Sequence, residues 1–199
     1  MCCCALRLAH ASARSSSRSR PDLVRVIAGA YGGRRLRAPS GRATRPTADR
    51  VREAVFSMLG SVTGMRVLDL FAGSGALGIE ALSRGAREAV FVDSDRRAID
   101  AVAANLAELG IEAAVHRRDA LAFIGALGEE LRFDLVFVDP PYDSALRLAP
   151  ELSRRLPALL APDALIVSES DKRSPLELTL PLLTERVYGD TRIGLHGGG

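Results

Sequence analysis

The chain has 199 residues, of which 47% are hydrophobic and 26% charged, and a formal net charge of +3. This composition excludes a wholly disordered protein, and no apolar run reaches the roughly 20 residues that a membrane-spanning helix needs. The three cysteines, Cys2 to Cys4, are adjacent, so they lack the spacing of a metal site and have no partner elsewhere for a disulfide. We therefore expect one soluble domain without a metal, in a reducing compartment such as the cytoplasm.

The small net charge conceals a strong asymmetry along the chain. Residues 1–52 carry 12 arginines against two aspartates, a net charge of +10, whereas the remainder carries 15 basic and 22 acidic residues, a net charge of −7. A basic N-terminal quarter on an acidic body indicates a polyanionic partner that contacts one edge of the protein. The alternative is a solvated basic segment without a partner.

The chain begins with a tail and a short hairpin. Residues 1–23 are rich in arginine and serine and lack a long apolar segment, so we expect a disordered basic tail outside the fold; their composition also resembles a transit peptide. Residues 24–28 and 34–38 are typical of two short strands around the turn Tyr31-Gly32-Gly33.

A helix is expected over residues 48–59, where apolar residues recur at helical spacing: Val51, Ala54, Val55, Met58 and Leu59. Thr47 is placed to cap its N-terminus and Gly60 to end it. The polar residues around the apolar stripe, Arg52 among them, are expected near or beyond its edges. The chain thus divides into a tail of residues 1–23, an N-terminal extension of residues 24–60 and a main domain of residues 61–199.

From residue 66 onward, apolar runs that fit strands alternate with stretches that fit helices. The expected strands are 66–70, 89–92, 113–116, 133–138 and 164–169, the expected helices are 76–84, 95–109, 120–131 and 144–160, and residues 186–195 fit an antiparallel hairpin that turns at Gly189-Asp190. This alternation predicts an α/β fold with a mostly parallel sheet covered by helices on both faces. Ligands of such sheets bind beyond the carboxyl ends of the strands.

The first of these strands leads into a glycine-rich turn. Residues 69–78 have the sequence DLFAGSGALG, with the pattern G-x-G-x-x-G, and Asp93 follows 20 residues after Gly73. This spacing matches dinucleotide-binding sites, in which the acidic residue binds ribose hydroxyls. Asp69 argues against a dinucleotide, because a carboxylate ~6 Å from a phosphate charge costs roughly 2–3 kcal/mol at an effective dielectric of about 20. The ammonium and sulfonium of S-adenosylmethionine make the same carboxylate favourable.

The strand at residues 133–138 delivers Asp139-Pro140-Pro141-Tyr142 to its carboxyl end. Asp139 and the Pro140 carbonyl, held in a fixed direction by the two prolines, are acceptors for the two N–H groups of an exocyclic amine. Tyr142 offers a flat face for a base. The alternative is an ordinary loop, since Asp-Pro starts many of them.

Four carboxylates stand at successive strand ends. Asp119 follows the third strand, where it fits either the amino group of an adenine or the N-cap of the next helix. Because Asp69, Asp93 and Asp139 occupy the equivalent place after three other strands, the set favours a ligand site over coincidence.

At this level of detail the chain resembles the 16S ribosomal RNA guanine-N2 methyltransferase family (RsmD-like). The resemblance runs from about residue 24 to residue 189 and rests on VIAG at 26–29 with GRRL at 33–36, RPTADRVREAVF at 45–56, LDLFAGSGALG at 68–78, EALSRGA at 80–86 and DPPY at 139–142. DPPY and the glycine-rich turn mark the wider class of amino-directed methyltransferases. The segment at 45–56 is more specific.

The resemblance implies a Rossmann-like class I methyltransferase fold that binds S-adenosylmethionine, with a mostly parallel seven-stranded sheet and a small N-terminal β-hairpin. It implies that the cofactor contacts Asp69, Phe71, Ala72, Gly73, Ser74, Gly75, Asp93, Ser94, Asp119 and Ala120. It implies that the catalytic segment consists of Asp139 and Pro140, which hold the guanine amine, of Pro141, and of Tyr142, which stacks on the extruded base.

The resemblance also implies the substrate, a guanine of 16S rRNA in a partly assembled small ribosomal subunit. No obligate protein partner is evident from the sequence, and we expect a monomer. Contacts to the RNA backbone are then expected from the arginine-rich hairpin and the helix that follows it: Arg34, Arg35, Arg37, Arg45, Thr47 and Arg50. Other hypotheses are an adenine-N6 methyltransferase of DNA or RNA, an NAD(P)-dependent oxidoreductase, and a non-catalytic RNA-binding module. The oxidoreductase requires a hydride-transfer partner residue that we do not find.

Overall fold

The computed structural model describes residues 24–39, 48–128 and 131–198. The predicted disordered tail, Arg45 and Thr47 with its predicted cap lie outside the described residues. The strands are β1 (Val24–Arg25), β2 (Arg35–Leu36), β3 (Arg66–Asp69), β4 (Glu88–Asp93), β5 (Ala114–Arg117), β6 (Phe133–Val138), β7 (Leu160–Asp171), β8 (Leu182–Tyr188) and β9 (Thr191–Gly197). The helices are α1 (Ala48–Leu59), α2 (Ala76–Ser83), α3 (Arg96–Leu109), α4 (Ala120–Ile124) and α5 (Ala145–Arg155). No helix in these ranges is both long enough and apolar enough to span a bilayer.

Seven of the strands form one sheet in the order β5-β4-β3-β6-β7-β9-β8. The pairings from β5 through β7 are parallel, and β9 runs antiparallel to both of its neighbours. The predicted mostly parallel seven-stranded sheet and its C-terminal hairpin are confirmed, as is the small antiparallel hairpin of β1 and β2. The strand order reverses between β3 and β6, so the loops that follow these two strands diverge and leave a crevice between them.

The two faces of the sheet are buried by different helices, because successive side chains of a strand point to opposite faces. Val67, Leu135 and Phe137 belong to a hydrophobic cluster with residues of α1, α2 and α3. Leu68 and Val136 belong to a second cluster with residues of α4 and α5. The predicted cover of helices on both faces is confirmed.

The N-terminal extension packs on the first of these clusters. Val26 of the hairpin and Phe56 of α1 are almost fully buried there, and the ring centroid of Phe56 lies 5.9 Å from that of Phe137. Hydrogen bonds from the hairpin backbone to a buried carboxylate of α2 fix the orientation of the hairpin. Both carboxylate oxygens of Glu80 accept backbone N–H groups, from Ile27 at 2.7 Å and from Ala28 at 3.1 Å. The hairpin therefore has one defined position on the sheet.

Two of the expected helices are shorter in the structure. The helix predicted over residues 120–131 ends at Ile124, because Gly125 and Gly128 lower helix propensity directly behind it. The helix predicted over residues 144–160 ends at Arg155 and continues as a 3₁₀ turn over Leu156–Leu159, which leads directly into β7.

One burial prediction was wrong. Arg52 was expected near or beyond the edge of the apolar stripe of α1, but only 4% of it is exposed. The first hairpin covers this side of the helix, and the Arg52 guanidinium donates to the Arg25 carbonyl and to Asp49.

We expect Glu80→Gln to destabilise the protein by about 2–3 kcal/mol. The glutamine has the same shape, but its NH₂ group must face either the N–H of Ile27, the N–H of Ala28 or the Arg84 guanidinium, all of which are donors. Urea denaturation measures the change. Glu53→Gln on the exposed side of α1 is the control, with an expected effect within about 0.5 kcal/mol. Equal effects of the two substitutions would contradict the anchoring role of Glu80.

Candidate active site

A cleft of about 590 Å³ opens at the carboxyl ends of the central strands, between the glycine-rich turn after β3 and the Asp-Pro-Pro turn after β6. Eleven of the predicted cofactor and catalytic residues line it: Asp69, Phe71, Ala72, Gly73, Ser74, Asp93, Ser94, Asp119, Asp139, Pro140 and Pro141. The four aspartates at successive strand ends thus meet in one cleft. Gly75 and Ala120 lie behind its wall, Gly75 against the side chains of Ile79 and Val102 and Ala120 in the hydrophobic core.

The glycine-rich turn depends on residues without a Cβ atom. Gly73 and Gly75 have φ angles of +56° and +78°, in the left-handed region that other residues rarely adopt. Gly78 packs against the ring of Phe91, where a Cβ atom would lie 2.3 Å from a ring carbon. Its N–H group donates to Asp69 at 3.1 Å. The turn therefore holds the start of α2 against the sheet and fixes one carboxylate oxygen of Asp69.

Asp69 is the most deeply buried acid of the cleft, with 2% of its surface exposed. Burial raises the pKa of its carboxyl group to about 7; the Gly78 N–H opposes this increase and the neighbouring charge of Asp93 adds to it. Near neutral pH the carboxyl is therefore about half ionised. A cation in the cleft stabilises the ionised form, whereas a diphosphate opposes it. The electrostatics of the cleft favour a positively charged ligand.

Asp93 is held by two backbone groups. Its Oδ2 accepts the N–H of Gly73 at 3.0 Å, and its Oδ1 accepts the N–H of Asp95 at 2.8 Å. Each oxygen keeps a second lone pair, so the carboxylate is oriented and still able to accept ribose hydroxyls. Asp119 lines the cleft while its Oδ1 caps α4 through the N–H of Ala122 at 3.0 Å. Asp119 therefore caps α4 and still faces the cleft, so the N-cap role and a contact to an adenine amino group do not exclude each other.

The turn after β6 places Asp139 half-buried, Pro140 buried and Pro141 exposed. The Pro141 carbonyl accepts both the N–H of Ser144, at 2.9 Å, and its hydroxyl, at 2.6 Å. These bonds close a 3₁₀ turn over Tyr142–Ser144. The side chain of Tyr142, predicted to stack on a base, lies outside the part of the chain that the structure describes.

Four of the predicted RNA contacts form an exposed basic edge of the N-terminal extension. Arg34, Arg35, Arg37 and Arg50 are all exposed. The Arg37 guanidinium lies 3.5 Å from the Glu108 carboxylate at the end of α3. Arg45 and Thr47, predicted for the same surface, lie outside the described residues.

Two residues that line the cleft were missed by the sequence analysis. Glu169 lines the cleft at the end of β7, and the argument from strand ends that selected the four aspartates also applies to it. Arg52 lines the cleft too, but the sequence carries no sign of its burial. Asn105 of α3 is a packing partner behind the cleft and is 1% exposed. It joins the N-terminal extension to the glycine-rich turn, because its Nδ2 donates to the carbonyls of Arg37 and Ser74 at 3.0 and 2.9 Å.

Comparison with known proteins gives consistent results. Residues 24–196 match the family described as "Conserved hypothetical protein 95". YlbH of Bacillus subtilis, named as a candidate rRNA methyltransferase, is 42% identical over 87% of this chain and 98% of its own length. The ribosomal RNA small subunit methyltransferase D of Escherichia coli K12 is 38% identical over 87% of this chain and 89% of its own. The solved structure of yhhF from Escherichia coli, described as a candidate methyltransferase, has a TM-score of 0.75 and 36% identity, over 88% of this chain and 97% of that one.

We expect Asp69→Asn to stabilise the ligand-free protein at pH 8 but not at pH 4. The folded-state pKa of about 7 exceeds the unfolded value of 3.8. Ionisation of this carboxyl therefore lowers the free energy of unfolding progressively as the pH rises from 3.8 to about 7, and the loss is constant at higher pH. The full penalty is at most about 4 kcal/mol, at 1.36 kcal/mol per pKa unit. Urea denaturation at both pH values measures the difference.

The control for this experiment is Asp119→Asn, which exchanges an exposed helix cap for an equivalent one. It should show no such pH-dependent gain. If Asp69→Asn were to change stability equally at pH 4 and pH 8, burial of an ionised Asp69 would not be the source of the effect.

Proposed function

The chain belongs to the family of ribosomal RNA small subunit methyltransferase D, and we propose that it transfers the methyl group of S-adenosylmethionine to the exocyclic N2 amine of a guanine in 16S rRNA. Methylation of ribosomal RNA follows from family membership. The guanine, its N2 atom and the small-subunit context are our proposal. The observation that carries it is the convergence of four carboxylates and the Asp139-Pro140 turn on one cleft.

S-adenosylmethionine fits the half of the cleft formed after β3, β4 and β5. Asp69 faces the positively charged methionine part, Asp93 accepts the ribose hydroxyls and Asp119 accepts the adenine amino group. Gly73 and Ser74 let the backbone approach closely because the turn carries no bulky side chain at its tip. When bound, S-adenosylmethionine supplies a sulfonium-activated methyl group, which forms the new N–CH₃ bond as the S–CH₃ bond breaks, with loss of one amine proton.

Asp139 and the Pro140 carbonyl make the amine reactive. The lone pair of an amine on a purine is delocalised into the ring while the amine is planar, so the amine is a poor nucleophile. Two acceptors that bind its two N–H groups hold the nitrogen in place and turn its lone pair out of the ring plane. The amine becomes acidic only as the new bond forms, so Asp139 accepts the released proton without being a strong base. The hydrogen bonds from Ser144 to the Pro141 carbonyl keep this turn rigid.

The target base must leave its stack to reach the cleft. Extrusion costs a few kcal/mol, and stacking on one aromatic ring returns ~1–3 kcal/mol. Tyr142 follows Pro141 directly in the chain and is our candidate for this ring.

The exposed arginines of the N-terminal extension are our candidates for backbone phosphate contacts. Arg34, Arg35 and Arg37 lie on the hairpin and its continuation, and Arg50 lies in the first turn of α1. Asn105 links the same segment to the turn proposed to hold the cofactor. Together with Arg45 and Thr47, selected on sequence alone, this edge fits a folded RNA in a partly assembled small ribosomal subunit.

Asp139→Ala should lower the methylation rate at least 100-fold, since it removes an acceptor used in the reaction, while the affinity for S-adenosylhomocysteine changes little. Rates are measured with assembling small subunits from cells that lack the enzyme, and the methylated nucleoside is identified by mass spectrometry. Asp100→Ala on the exposed side of α3 is the control and should retain full activity. If mass spectrometry found the methyl group on the N6 atom of an adenine, the guanine assignment would be wrong.

Binding of RNA should weaken steeply with rising salt, whereas binding of S-adenosylhomocysteine should hardly change. Replacing Arg34, Arg35 and Arg37 together by alanine should lower the slope of log affinity against log salt by about 2, at ~0.7–0.9 per lost phosphate contact. Arg173→Ala, an exposed arginine outside the extension, serves as the control. Equal salt dependence for the two ligands would contradict a role for the basic edge.

A further inference from the structure

A further acidic residue of the cleft, Glu169, lies beside Asp139, on the side away from Asp69. Val138 pairs with Ser168 in the parallel register of β6 and β7, so Asp139 and Glu169 come next in line on adjacent strands, which are ~4.8 Å apart. Phe137 and Val167 pair in the same register and both belong to the cluster under α1. Since side chains alternate along a strand, Glu169 projects to the same face as Val167, toward α1.

Arg52 of α1 lies on that face and also lines the cleft. Its Nη2 donates to the Arg25 carbonyl and to Asp49, but no described residue accepts a hydrogen bond from its buried Nε. A buried donor without a partner is unfavourable, so a ligand that accepts from it gains affinity. Burial lowers the pKa of Arg52, an effect that Asp49, Glu80 and Glu169 oppose. This end of the cleft therefore presents a buried cation with unused donor capacity beside a carboxylate.

The edge of a guanine has complementary chemistry. Beyond the N2 amine it presents the N1–H donor and then the O6 acceptor, whereas in adenine the ring atom beside the N6 amine is an acceptor. A base whose amine is held by Asp139 and Pro140 can turn its N1 side toward β3 or toward β7, and in the second orientation its next edge atoms come beside Glu169. Glu169 accepts from a guanine at this position and repels the lone pair of an adenine.

We propose that Glu169 and Arg52 make the enzyme specific for guanine, with Glu169 accepting the N1–H of the target base and Arg52 donating to its O6. This inference rests on the proposed function, because it assumes that the amine held at Asp139 is the N2 amine of a guanine. It assigns the two halves of the cleft different tasks. The aspartates after β3, β4 and β5 hold the methyl donor, and the pair from β7 and α1 selects the acceptor.

The test compares guanine with 2-aminopurine at the methylated position of 16S rRNA, in small subunits assembled from ligated RNA. 2-Aminopurine keeps the exocyclic amine but has an unprotonated N1 and no O6. The wild-type protein should prefer guanine at least 100-fold in kcat/KM, because a site built for hydrogen bonds strongly rejects an analogue that lacks them. Glu169→Gln, whose amide can either accept from N1–H or donate to a bare N1, should reduce this preference at least tenfold.

The matched control is Glu177→Gln, which removes an equivalent charge from an exposed residue outside the cleft and should keep the wild-type preference. Arg52→Lys tests the second partner, since lysine retains the charge but not the planar donor set. The readout for this variant is the ratio of the kcat/KM values for guanine and 2-aminopurine, because this ratio does not depend on the fraction of protein that is folded. We expect its preference for guanine to fall at least tenfold.

The outcomes separate this inference from the proposed function. If Glu169→Gln slowed both substrates by the same factor, its role would be structural and the inference would be wrong, while the guanine-N2 assignment would stand. A wild-type protein that methylates 2-aminopurine as fast as guanine would overturn the inference in the same way. If the wild-type protein methylated only adenine in these subunits, the proposed function itself would fail.

Discussion

The parallel pairing of β3 with β6 decides where the site forms. Phe137 of β6 lies opposite Asp69 of β3, so the glycine-rich turn and the Asp-Pro-Pro turn begin at the same level of the sheet. The strand order reverses at this pair, and the two loops diverge. The groups proposed to hold the methyl donor and the amine are therefore neighbours in space, although about 70 residues of chain separate them.

The cleft concentrates carboxylates at a cost to the ligand-free protein. Asp69 is buried, and its raised pKa measures how unfavourable an ionised group is at that place. Asp93 differs from Asp69 in its partners, because both of its oxygens accept backbone N–H groups. A cationic cofactor reverses the balance at Asp69, because its charge stabilises the ionised form. The same property that destabilises the empty cleft thus favours a sulfonium over a diphosphate.

The N-terminal extension is part of this architecture. Glu80 binds the hairpin backbone, and α1 covers the cleft with Arg52 at its inner side. Asn105 connects Arg37 to the carbonyl of Ser74 in the glycine-rich turn. The surface proposed to contact RNA is consequently fixed relative to the groups proposed to bind the cofactor. This rigidity suits a reaction in which a base and a methyl donor must meet within a few tenths of an ångström.

Much of the site was predictable from local sequence. The positions of the strands follow from their apolar runs, and the acids directly behind these strands had to share one edge of a parallel sheet. The backbone roles of Gly73, Gly75 and the two prolines are predictable from the sequence. The conformational freedom of glycine and the fixed φ angle of proline are intrinsic to these residues. The sequence alone therefore determined the sheet, the two turns and the four aspartates of the cleft.

Tertiary structure decided what the remaining side chains contact. Arg52 lies beside an apolar stripe on α1, and only the hairpin packed against that side makes it a buried wall of the cleft. Asn105 looks like any polar residue of a helix, but the fold places it between two segments that are distant in sequence. Gly75 and Ala120, although adjacent to cleft residues, face the core instead. Periodicity defines the face of an element that a residue occupies, whereas the packing of other elements on that face determines its partners and its burial.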